Sequence, residues 1–398
     1  MTETSDHQTT LQSAVRISDR IRSELLEKVK SEFVGKDEAI DLLGLCLVAG
    51  ENLFLLGPPG TAKSALVRAV ASRLQGQVFD YLLTRFTEPS ELFGPFDIRR
   101  LRDGELLTNT EGMLPEADVI FLDELLNANS AILNSLLMAL NERVFRRGRE
   151  TRRLGFVLAV GASNRLPEDD ALGALFDRFL LRVRCDNVPS EMVPGVLDAG
   201  WKLQQANVRG ESPSELVSID DIRRLQRAIP LVDVTSTRSI YVELIHRLRH
   251  CGIEISDRRA VRLQRLIAAS ALMCGRSSTD VSDLWILRYI WDTMDQVEVL
   301  AKIVDDAIRN RPSEAVSVTT HPRSRGADAP NAEELNHDLT QIETRLQDPE
   351  LDRAARSWLM DRASILLSRV EWIANDESRL FLRNRAQGLL QKITVESP

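Results

Sequence analysis

Residues 52–74, NLFLLGPPGTAKSALVRAVASRL, decide the fold class of this chain. An apolar run of strand length leads into a short loop of glycine, proline and small residues, and a helical pattern follows the loop. Small residues let backbone N–H groups turn inward around phosphate oxygens, and the start of the helix adds partial positive charge. The stretch therefore predicts a phosphate-binding loop between a buried strand and a helix.

This loop is predicted to bind a nucleoside triphosphate together with Mg²⁺. In such a loop Lys63 reaches the β- and γ-phosphates, and the Ser64 hydroxyl binds the metal. Ala62 stands where a second glycine is usual, and because alanine disfavours positive φ we expect a helical backbone there. The predicted nucleotide-binding residues of the loop are Gly57, Pro58, Pro59, Gly60, Thr61, Ala62, Lys63 and Ser64.

A second apolar run, VIFLDE over 119–124, ends in two acidic residues. At the carboxyl end of a parallel strand these acids would lie beside the phosphate loop. Asp123 is predicted to bind Mg²⁺, directly or through water, and Glu124 to orient and polarise the attacking water. Capping of the next helix is the alternative interpretation of the pair. Since both motifs stand at strand ends, the sequence predicts hydrolysis of a nucleoside triphosphate.

Two further polar residues flank later apolar runs. Asn164 ends the run FVLAVGASN (156–164), where its side chain can contact the γ-phosphate or the attacking water. Arg178 directly precedes FLLRVRC (179–185) and can act in trans, as an arginine finger across a subunit boundary. A structural role is the open alternative for each residue.

Apolar runs alternate with helical segments as far as residue 185, which predicts an α/β fold with a five-stranded, mainly parallel sheet. Beyond residue 189 helical patterns predominate. Residues 311–332 contain three prolines among small and polar residues, which is typical of a flexible linker. The predicted domains are an αβα nucleotide-binding core with an N-terminal helix over 1–190, an all-helical lid over 191–310, the linker 311–332, and a small helical C-terminal region over 333–398.

Composition excludes several classes of protein. The chain has 51 Lys and Arg against 59 Asp and Glu, a net charge of −8, so nucleic acid is not expected as a partner held by a bulk positive field. The longest apolar stretch, 42–50, is too short to cross a bilayer. The four cysteines form no CxxC pair, and no secretory leader precedes the first helical pattern. We therefore expect a cytoplasmic protein without a membrane span.

With these motifs in this order, the chain resembles the AAA+ ATPases of the MoxR group, and most closely the RavA-like branch. The resemblance spans about residues 20–305, and Ala62 is itself similar to the phosphate loop of that branch. The matching strings are GPPGTAKS, RFTEPSELFGPFD, VIFLDEL, ILNSLLMALNERVFRRG, VLAVGASNRLPE and LGALFDRFLLRV.

The resemblance implies ATP as the nucleotide, bound between the αβα core and the lid, with Mg²⁺ as its metal. It implies sensor 1 at Asn164, the arginine finger at Arg178, and sensor 2 at Arg258, with Arg259 as the rival for sensor 2. Because the finger comes from a neighbouring subunit, the resemblance also implies a homo-oligomer, a hexameric ring. The implied catalytic residues are Glu124, Lys63, Asn164, Arg178 and Arg258.

The family implies a chaperone-like remodelling or assembly factor that works with a von Willebrand A domain partner on an unidentified client. A nucleotide-gated scaffold in a stress or defence system is the alternative, and a nucleic-acid motor is disfavoured by the net charge. Residues 94–112 resemble a hairpin inserted in the second helix, with its turn at Asp103–Gly104. Residues 143–153, with six arginines, resemble a hairpin that faces a central pore. A solvated hairpin that closes subunit contacts remains open for this segment.

Overall fold

The computed structural model describes residues 2–97, 107–147, 150–168, 170–210, 217–309, 320–325, 332–346 and 376–395, with scattered residues between 356 and 370. The chain forms two compact units, Met1–Ser324 and Arg325–Pro398. The predicted turn at Asp103–Gly104 lies outside the described residues.

A parallel sheet forms the centre of the first unit. The strands are β1 (Leu53–Leu56), β2 (Leu74–Gln75), β3 (Val78–Leu82), β4 (Val119–Asp123), β5 (Val144–Arg147), β6 (Glu150–Arg153), β7 (Leu158–Ser163), β8 (Leu181–Arg184) and β9 (Val217–Ser218). Five of them form one sheet in the order β3-β4-β7-β1-β8, and every neighbouring pair is parallel. Each of the five predicted strands is present, so the α/β fold class is confirmed.

The register of the sheet brings several strand ends together. Leu56 of β1 lies beside Ser163 of β7, and Leu122 of β4 lies beside Gly161. We call this side of the sheet the carboxyl edge, and the side on which the strands begin the amino edge. Side chains that follow β1, β4 and β7 must therefore meet at the carboxyl edge.

Helices cover the sheet and extend beyond it. A π-helical turn, Ile21–Leu26, joins the first two helices of the chain. α3 is apolar nearly all round and is therefore buried, and it ends at Gly50 with φ 72°. No helix in the described ranges is both long and apolar enough to cross a membrane. The helices are α1 (Thr2–Arg20), α2 (Glu27–Glu32), α3 (Asp37–Ala49), α4 (Lys63–Ala71), α5 (Pro89–Phe93), α6 (Ser130–Glu142), α7 (Asp170–Phe176), α8 (Val193–Val208), α9 (Ile219–Ala228), α10 (Thr235–His250), α11 (Asp257–Met273) and α12 (Gln296–Arg309).

The helix α11 is attached to the amino edge of the sheet by an ion-pair cluster. Glu51, which directly precedes the start of the sheet, is 4% exposed and pairs with the guanidinium of Arg262. Arg265 lies 3.6 Å from the same carboxylate and donates a 3.0 Å hydrogen bond to the carbonyl of Ala49. A buried carboxylate requires such partners. The cluster therefore determines where the predicted lid region contacts the core.

Residues 320–325 form a short strap on the first unit, and the prediction of a flexible linker is wrong for them. The His321 ring stacks on Trp285 with 4.5 Å between ring centroids. Arg323 Nε donates a 2.9 Å hydrogen bond to Asp41, and Arg288 donates a 2.6 Å hydrogen bond to the Arg323 carbonyl. Aromatic stacking and charge pairing hold this segment, although its composition resembles that of a linker.

The second unit is helical, as predicted. Its described helices are α13 (Ala332–Leu346) and α14 (Asp376–Val395), joined by a 2.5 Å ion pair between Glu343 and Arg385. Apolar side chains at helical spacing form a core of their own. The buried members of this core are Leu335, Leu339, Ile342, Leu359, Ala363, Leu366, Val370, Leu382, Ala386, Leu389 and Ile393.

The substitution Glu51→Gln should destabilise the first unit by about 1–3 kcal/mol, because it leaves two arginines without their buried carboxylate. Urea denaturation followed by circular dichroism measures this change. Glu27→Gln is the control, since Glu27 is 57% exposed in its pair with Lys30 and should contribute less than about 1 kcal/mol. Equal effects of the two substitutions would contradict the assigned importance of the cluster.

His321 should make the protein sensitive to acid. Burial lowers the pKa of His321 from 6.5 to about 4, and Nδ1 accepts a 3.2 Å hydrogen bond from the Arg323 N–H, as a neutral ring can. Below pH 6.5 the unfolded chain binds the proton more readily than the folded chain, so stability falls as the pH drops from 6.5 towards 4. Between pH 7 and pH 5 the loss is about 2 kcal/mol for this residue. In the His321→Gln variant, the difference in the free energy of unfolding between pH 7 and pH 5 should therefore be smaller by about 2 kcal/mol, as measured by urea denaturation. An unchanged difference would argue against the assignment.

Candidate active site

The phosphate loop lies at the carboxyl edge between β7 and β8. The N–H of Gly57 donates a 3.1 Å hydrogen bond to the carbonyl of Ser163. A Cβ at Gly57 would lie 2.2 Å from the carbonyl oxygen of Cys185, so only glycine fits between the neighbouring strands. The close approach of three strand ends therefore determines where the loop begins.

Ala62 differs from the sequence expectation. Its backbone is left-handed, with φ 68° and ψ 17°, so the prediction of a helical conformation was wrong. The chain reverses at this residue so that α4 can begin at Lys63, and no side chain caps the first turn of the helix. Uncapped N–H groups at a helix start suit an anion. The loop thus accepts backbone strain where a phosphate would be bound.

Lys63 and Ser64 both lie where the sequence predicted them. The Lys63 ammonium is buried and donates hydrogen bonds to the carbonyls of Gly57 at 2.6 Å and Pro58 at 2.9 Å. The Ser64 hydroxyl donates a 2.6 Å hydrogen bond to Oδ2 of Asp123. A hydroxyl and a carboxylate side by side are oxygen ligands of the kind Mg²⁺ prefers. The structure thus brings the two predicted metal ligands together.

Glu124 belongs to a series of hydrogen-bonded polar side chains that the sequence did not predict. It follows β4 with a left-handed backbone at φ 50°, and its Oε2 lies 3.4 Å from Nδ2 of Asn127. Arg165 Nη2 donates a 3.1 Å hydrogen bond to Oδ1 of the Asn127 amide, and Arg165 Nη1 donates one of 2.9 Å to Glu168. The signals available were the spacing of Asn127 after the acidic pair and the position of Arg165 directly after Asn164.

The residues at this edge fit a nucleotide with Mg²⁺. Asn164 is exposed at the end of β7, so the same edge holds all the predicted groups except the arginines. Among the described residues no three His, Cys, Asp or Glu side chains come together as a metal site, so the metal expectation rests on Ser64 and Asp123. Mg²⁺ commonly keeps few protein ligands and takes others from phosphates, which this pair permits.

A cavity of about 210 Å³ opens beside the loop. Val34, Val188, Val196 and Leu203 contribute apolar side chains to its lining, which suits the flat face of a base. Val196 and Leu203 belong to α8, within the predicted lid range, whereas α11 pairs with Glu51 at the amino edge. Within the predicted lid range, α8 therefore borders the loop to which ATP was predicted to bind, whereas α11 lies at the amino edge.

Arg178 is not brought into the site of its own chain. The side chain of Asn52, at the start of β1, donates a 3.0 Å hydrogen bond to the Arg178 carbonyl, so Arg178 lies at the amino edge. Residues 52 and 57 are separated by about 17 Å along the strand, at about 3.3 Å per residue. Burial, together with the like charges of Arg258 and Arg262, lowers the pKa of Arg178. These arginines therefore form a positive cluster on the far side from the phosphate loop.

The two candidates for sensor 2 have different surroundings. Arg258 donates a hydrogen bond to Asn141 at the end of α6, next to the cluster at the amino edge. Arg259 is buried, where it lies 3.1 Å from Asp292 and donates to the carbonyls of Ile290 and Glu254. Arg259 thus has a structural environment, and Arg258 is the one that accompanies Arg178.

The arginine-rich segment 143–153 includes an antiparallel hairpin of β5 and β6. Three of its arginines donate hydrogen bonds to the body of the unit, and one of these, Arg147, also stacks over the Phe96 ring at 3.9 Å. Two others are exposed. The arginines that donate these hydrogen bonds are Arg143, Arg147 and Arg152, and the two others are Arg146 and Arg153. Arg149 lies outside the described residues. At least three of the six arginines of this segment thus contact their own chain.

Comparisons with known proteins match both parts of the first unit. Residues 19–227 match the family model described as the MoxR domain in the MoxR-vWA-beta-propeller ternary systems. Residues 238–304 match the AAA lid domain. Two uncharacterized proteins of Methanocaldococcus jannaschii are similar in sequence: MJ0079 is 36% identical over 73% of this chain and 76% of its own length, and MJ0812 is 35% identical over 68% and 73%.

A solved structure shares the fold. The crystal structure of a candidate ATPase from Cytophaga hutchinsonii superposes with a TM-score of 0.61, covering 77% of this chain and 98% of that chain. The sequence identity is 19%, so this likeness concerns the fold alone.

The substitution Ala62→Gly should relieve the left-handed strain. A residue with Cβ at positive φ costs about 1–2 kcal/mol, while glycine loses up to about 1 kcal/mol through the entropy of the unfolded chain. We therefore expect Ala62→Gly to leave stability unchanged or to raise it by about 1 kcal/mol, measured by urea denaturation. The matched control is Ala69→Gly within α4, which should cost about 1 kcal/mol. A comparable loss in both variants would refute the strain at Ala62.

Proposed function

Because the chain belongs to the MoxR family of AAA+ domains, we propose that it hydrolyses ATP and uses the energy to remodel or assemble a protein partner. The observation that carries this proposal is the 2.6 Å contact between Ser64 and Asp123 beside the buried ammonium of Lys63. These three side chains come from the two separate motifs predicted to bind one Mg-nucleotide, and the fold brings them to one edge.

Each residue at the carboxyl edge has a chemical task in this proposal. Mg²⁺, when bound through Ser64 and Asp123, neutralises phosphate charge. Lys63 binds the β- and γ-phosphates, and Glu124 accepts a hydrogen bond from the attacking water and orients it. Asn164, exposed at the end of β7, contacts the γ-phosphate or the same water.

The site is completed by a second copy of the chain. Arg178 and Arg258 lie at the amino edge, about 17 Å of strand away from the loop, so neither reaches the phosphates of its own chain. A positive cluster with a lowered Arg178 pKa is well placed to receive the γ-phosphate of a neighbour. Since each copy offers one edge and receives the other, the contact is head-to-tail, which generates a ring when the rotation between copies closes. A hexamer is the ring size proposed from the family.

The wider role follows from the family. The matching family model names ternary systems that include a von Willebrand A domain, which supports a partner of that kind for this chain. The exposed Arg146 and Arg153 of the hairpin are proposed to contact an acidic or polar segment in the ring pore. Placement in the RavA-like branch remains part of the proposal, supported by the alanine of the phosphate loop.

Mixing of two inactive variants tests the shared site. Arg178→Ala and Lys63→Ala should each lower ATP turnover by on the order of 10³-fold, because each site needs a loop from one copy and an arginine from the next. An equimolar mixture should recover about a quarter of wild-type turnover, since about one interface in four joins two intact halves. Phosphate release measures turnover before and after mixing.

Two further variants control this experiment. Arg224→Ala removes an arginine that is 69% exposed on α9 and should leave turnover unchanged. Glu124→Gln should bind a fluorescent ATP analogue while losing hydrolysis, which separates binding from chemistry. Full turnover of Arg178→Ala in an assembled ring would disprove the arginine finger, and absence of ATP binding by the wild type would disprove the function.

A further inference from the structure

The helix α8 carries an apolar surface that the described residues of its own chain leave exposed. None of its described side chains is buried, although the helix is 16 residues long. Spacings of four, four and seven residues place four apolar side chains on one side of the helix. We call them the α8 stripe: Val193 is 42% exposed, Leu197 67%, Trp201 64% and Val208 89%. An adjoining side of α8, with Val196 and Leu203, lines the cavity beside the phosphate loop.

A complementary groove runs between α10 and α11. It has a volume of about 390 Å³, and most of its lining is apolar. Val242 and Val261 stand exposed along it, by 49% and 64%. Arg238, His246 and Arg249 contribute basic or titratable groups to the lining, and its one acid, Asp257, is paired with Arg249 at 2.8 Å. We call this surface the lid groove, and its main apolar side chains are Tyr241, Val242, Ile245, Ala260, Val261 and Ile267.

The α8 stripe lies on the helix next to the phosphate loop, and the lid groove lies next to the arginines around Arg178. In the proposed shared site, these two regions come from different copies of the chain. α8 flanks the nucleotide cavity through Val196 and Leu203. α11 carries Arg258 and Arg262 next to Arg178, and it contributes Val261 to the groove. When Arg178 of one copy reaches the phosphates bound by another copy, α11 of the first copy is brought towards α8 of the second.

We infer that the α8 stripe of one copy packs into the lid groove of the next copy. The inference rests on the proposed division of the site between two copies, and it identifies the surfaces that hold them together. A helix with apolar anchors at i, i+4 and i+8 is the usual occupant of a groove between two helices. Asp198 and the negative carboxyl end of α8 are suited to the basic groups of the groove.

The contact is heterologous, because stripe and groove are different surfaces of the same chain, and such a contact generates a ring when the rotation between copies closes. It also joins nucleotide binding to assembly. α8 lines the cavity beside the phosphate loop with one side and meets the neighbour with another, so the same helix borders both the nucleotide and the contact between copies.

Two variants with complementary defects test the inference. Trp201→Glu disrupts the stripe and keeps the groove, whereas Val261→Glu disrupts the groove and keeps the stripe. With Mg²⁺ and a slowly hydrolysed ATP analogue, sedimentation should show monomers for either variant alone and dimers for their equimolar mixture, because the mixture contains one intact pair of surfaces. Val299→Glu, at a valine 41% exposed on α12 and outside the groove, should assemble as the wild type does.

Cysteine crosslinking gives a second measurement that does not depend on the strength of the contact. The exposed Cys251 is first replaced by serine. A chain with Trp201→Cys and a chain with Val261→Cys should form a disulfide-linked dimer under mild oxidation, whereas Trp201→Cys with Val299→Cys should not. Wild-type assembly by Trp201→Glu or Val261→Glu, or absence of the crosslinked dimer from an assembled sample, overturns the inference.

The same dimer separates failure of this inference from failure of the proposed function. In the mixture, the composite site takes its phosphate loop from the Val261→Glu chain and its Arg178 from the Trp201→Glu chain. Lys63→Ala should therefore abolish turnover when the Val261→Glu chain carries it, and Arg178→Ala when the Trp201→Glu chain carries it. Dimers that form but hydrolyse no ATP support the surfaces and contradict the ATPase. If the Trp201→Glu variant still assembles into rings that hydrolyse ATP, the proposed contact surfaces are contradicted and the proposed ATPase activity is not.

Discussion

The buried carboxylate of Glu51 constrains how the helices of the first unit can be arranged on the sheet. It lies directly before the sheet, at the amino edge, and it requires positive partners because a buried charge without them is costly. Arg262 and Arg265 of α11 meet that requirement. α11 is thereby held at the opposite edge from the phosphate loop, and its neighbour Arg258 is held there with it. The cluster thus keeps Arg258 at the amino edge, where Arg178 also lies because it precedes a parallel strand.

The parallel sheet makes the two edges chemically different. Its carboxyl edge collects the phosphate loop, Asp123 and Glu124, because every strand of the sheet runs in the same direction. Its amino edge collects arginines that surround Arg178. The helix α8 lines the cavity beside the phosphate loop, and α11 carries the arginines near Arg178. Each of the two helices also presents exposed apolar residues on another side. Catalysis and assembly can thus be linked through the same two helices.

Much of the fold could be predicted because buried parallel strands require continuous apolar runs, and each of the five runs predicted as strands of the sheet is one. The pairing of Ser64 with Asp123 was predictable for a related reason, since both follow strands that end at one edge. The backbone of Ala62 was not, because local preference favours a helical conformation while loop closure imposes a left-handed one. The strap at His321 was missed because its stacking partner, Trp285, is distant in sequence.

The sequence by itself determined the fold class, the phosphate loop and the acidic pair, since these depend on short-range patterns of apolar and small residues. Only the tertiary structure shows that Arg258 and Arg259 have different partners, because adjacent residues on a helix face different surroundings that depend on packing. It also decided which arginines of the hairpin contact their own chain. Above all, it separated Arg178 from Lys63 by the length of the sheet. Ion pairs and strand direction act over distances that no local pattern contains, and here they place the two groups of candidate site residues at opposite edges of the sheet.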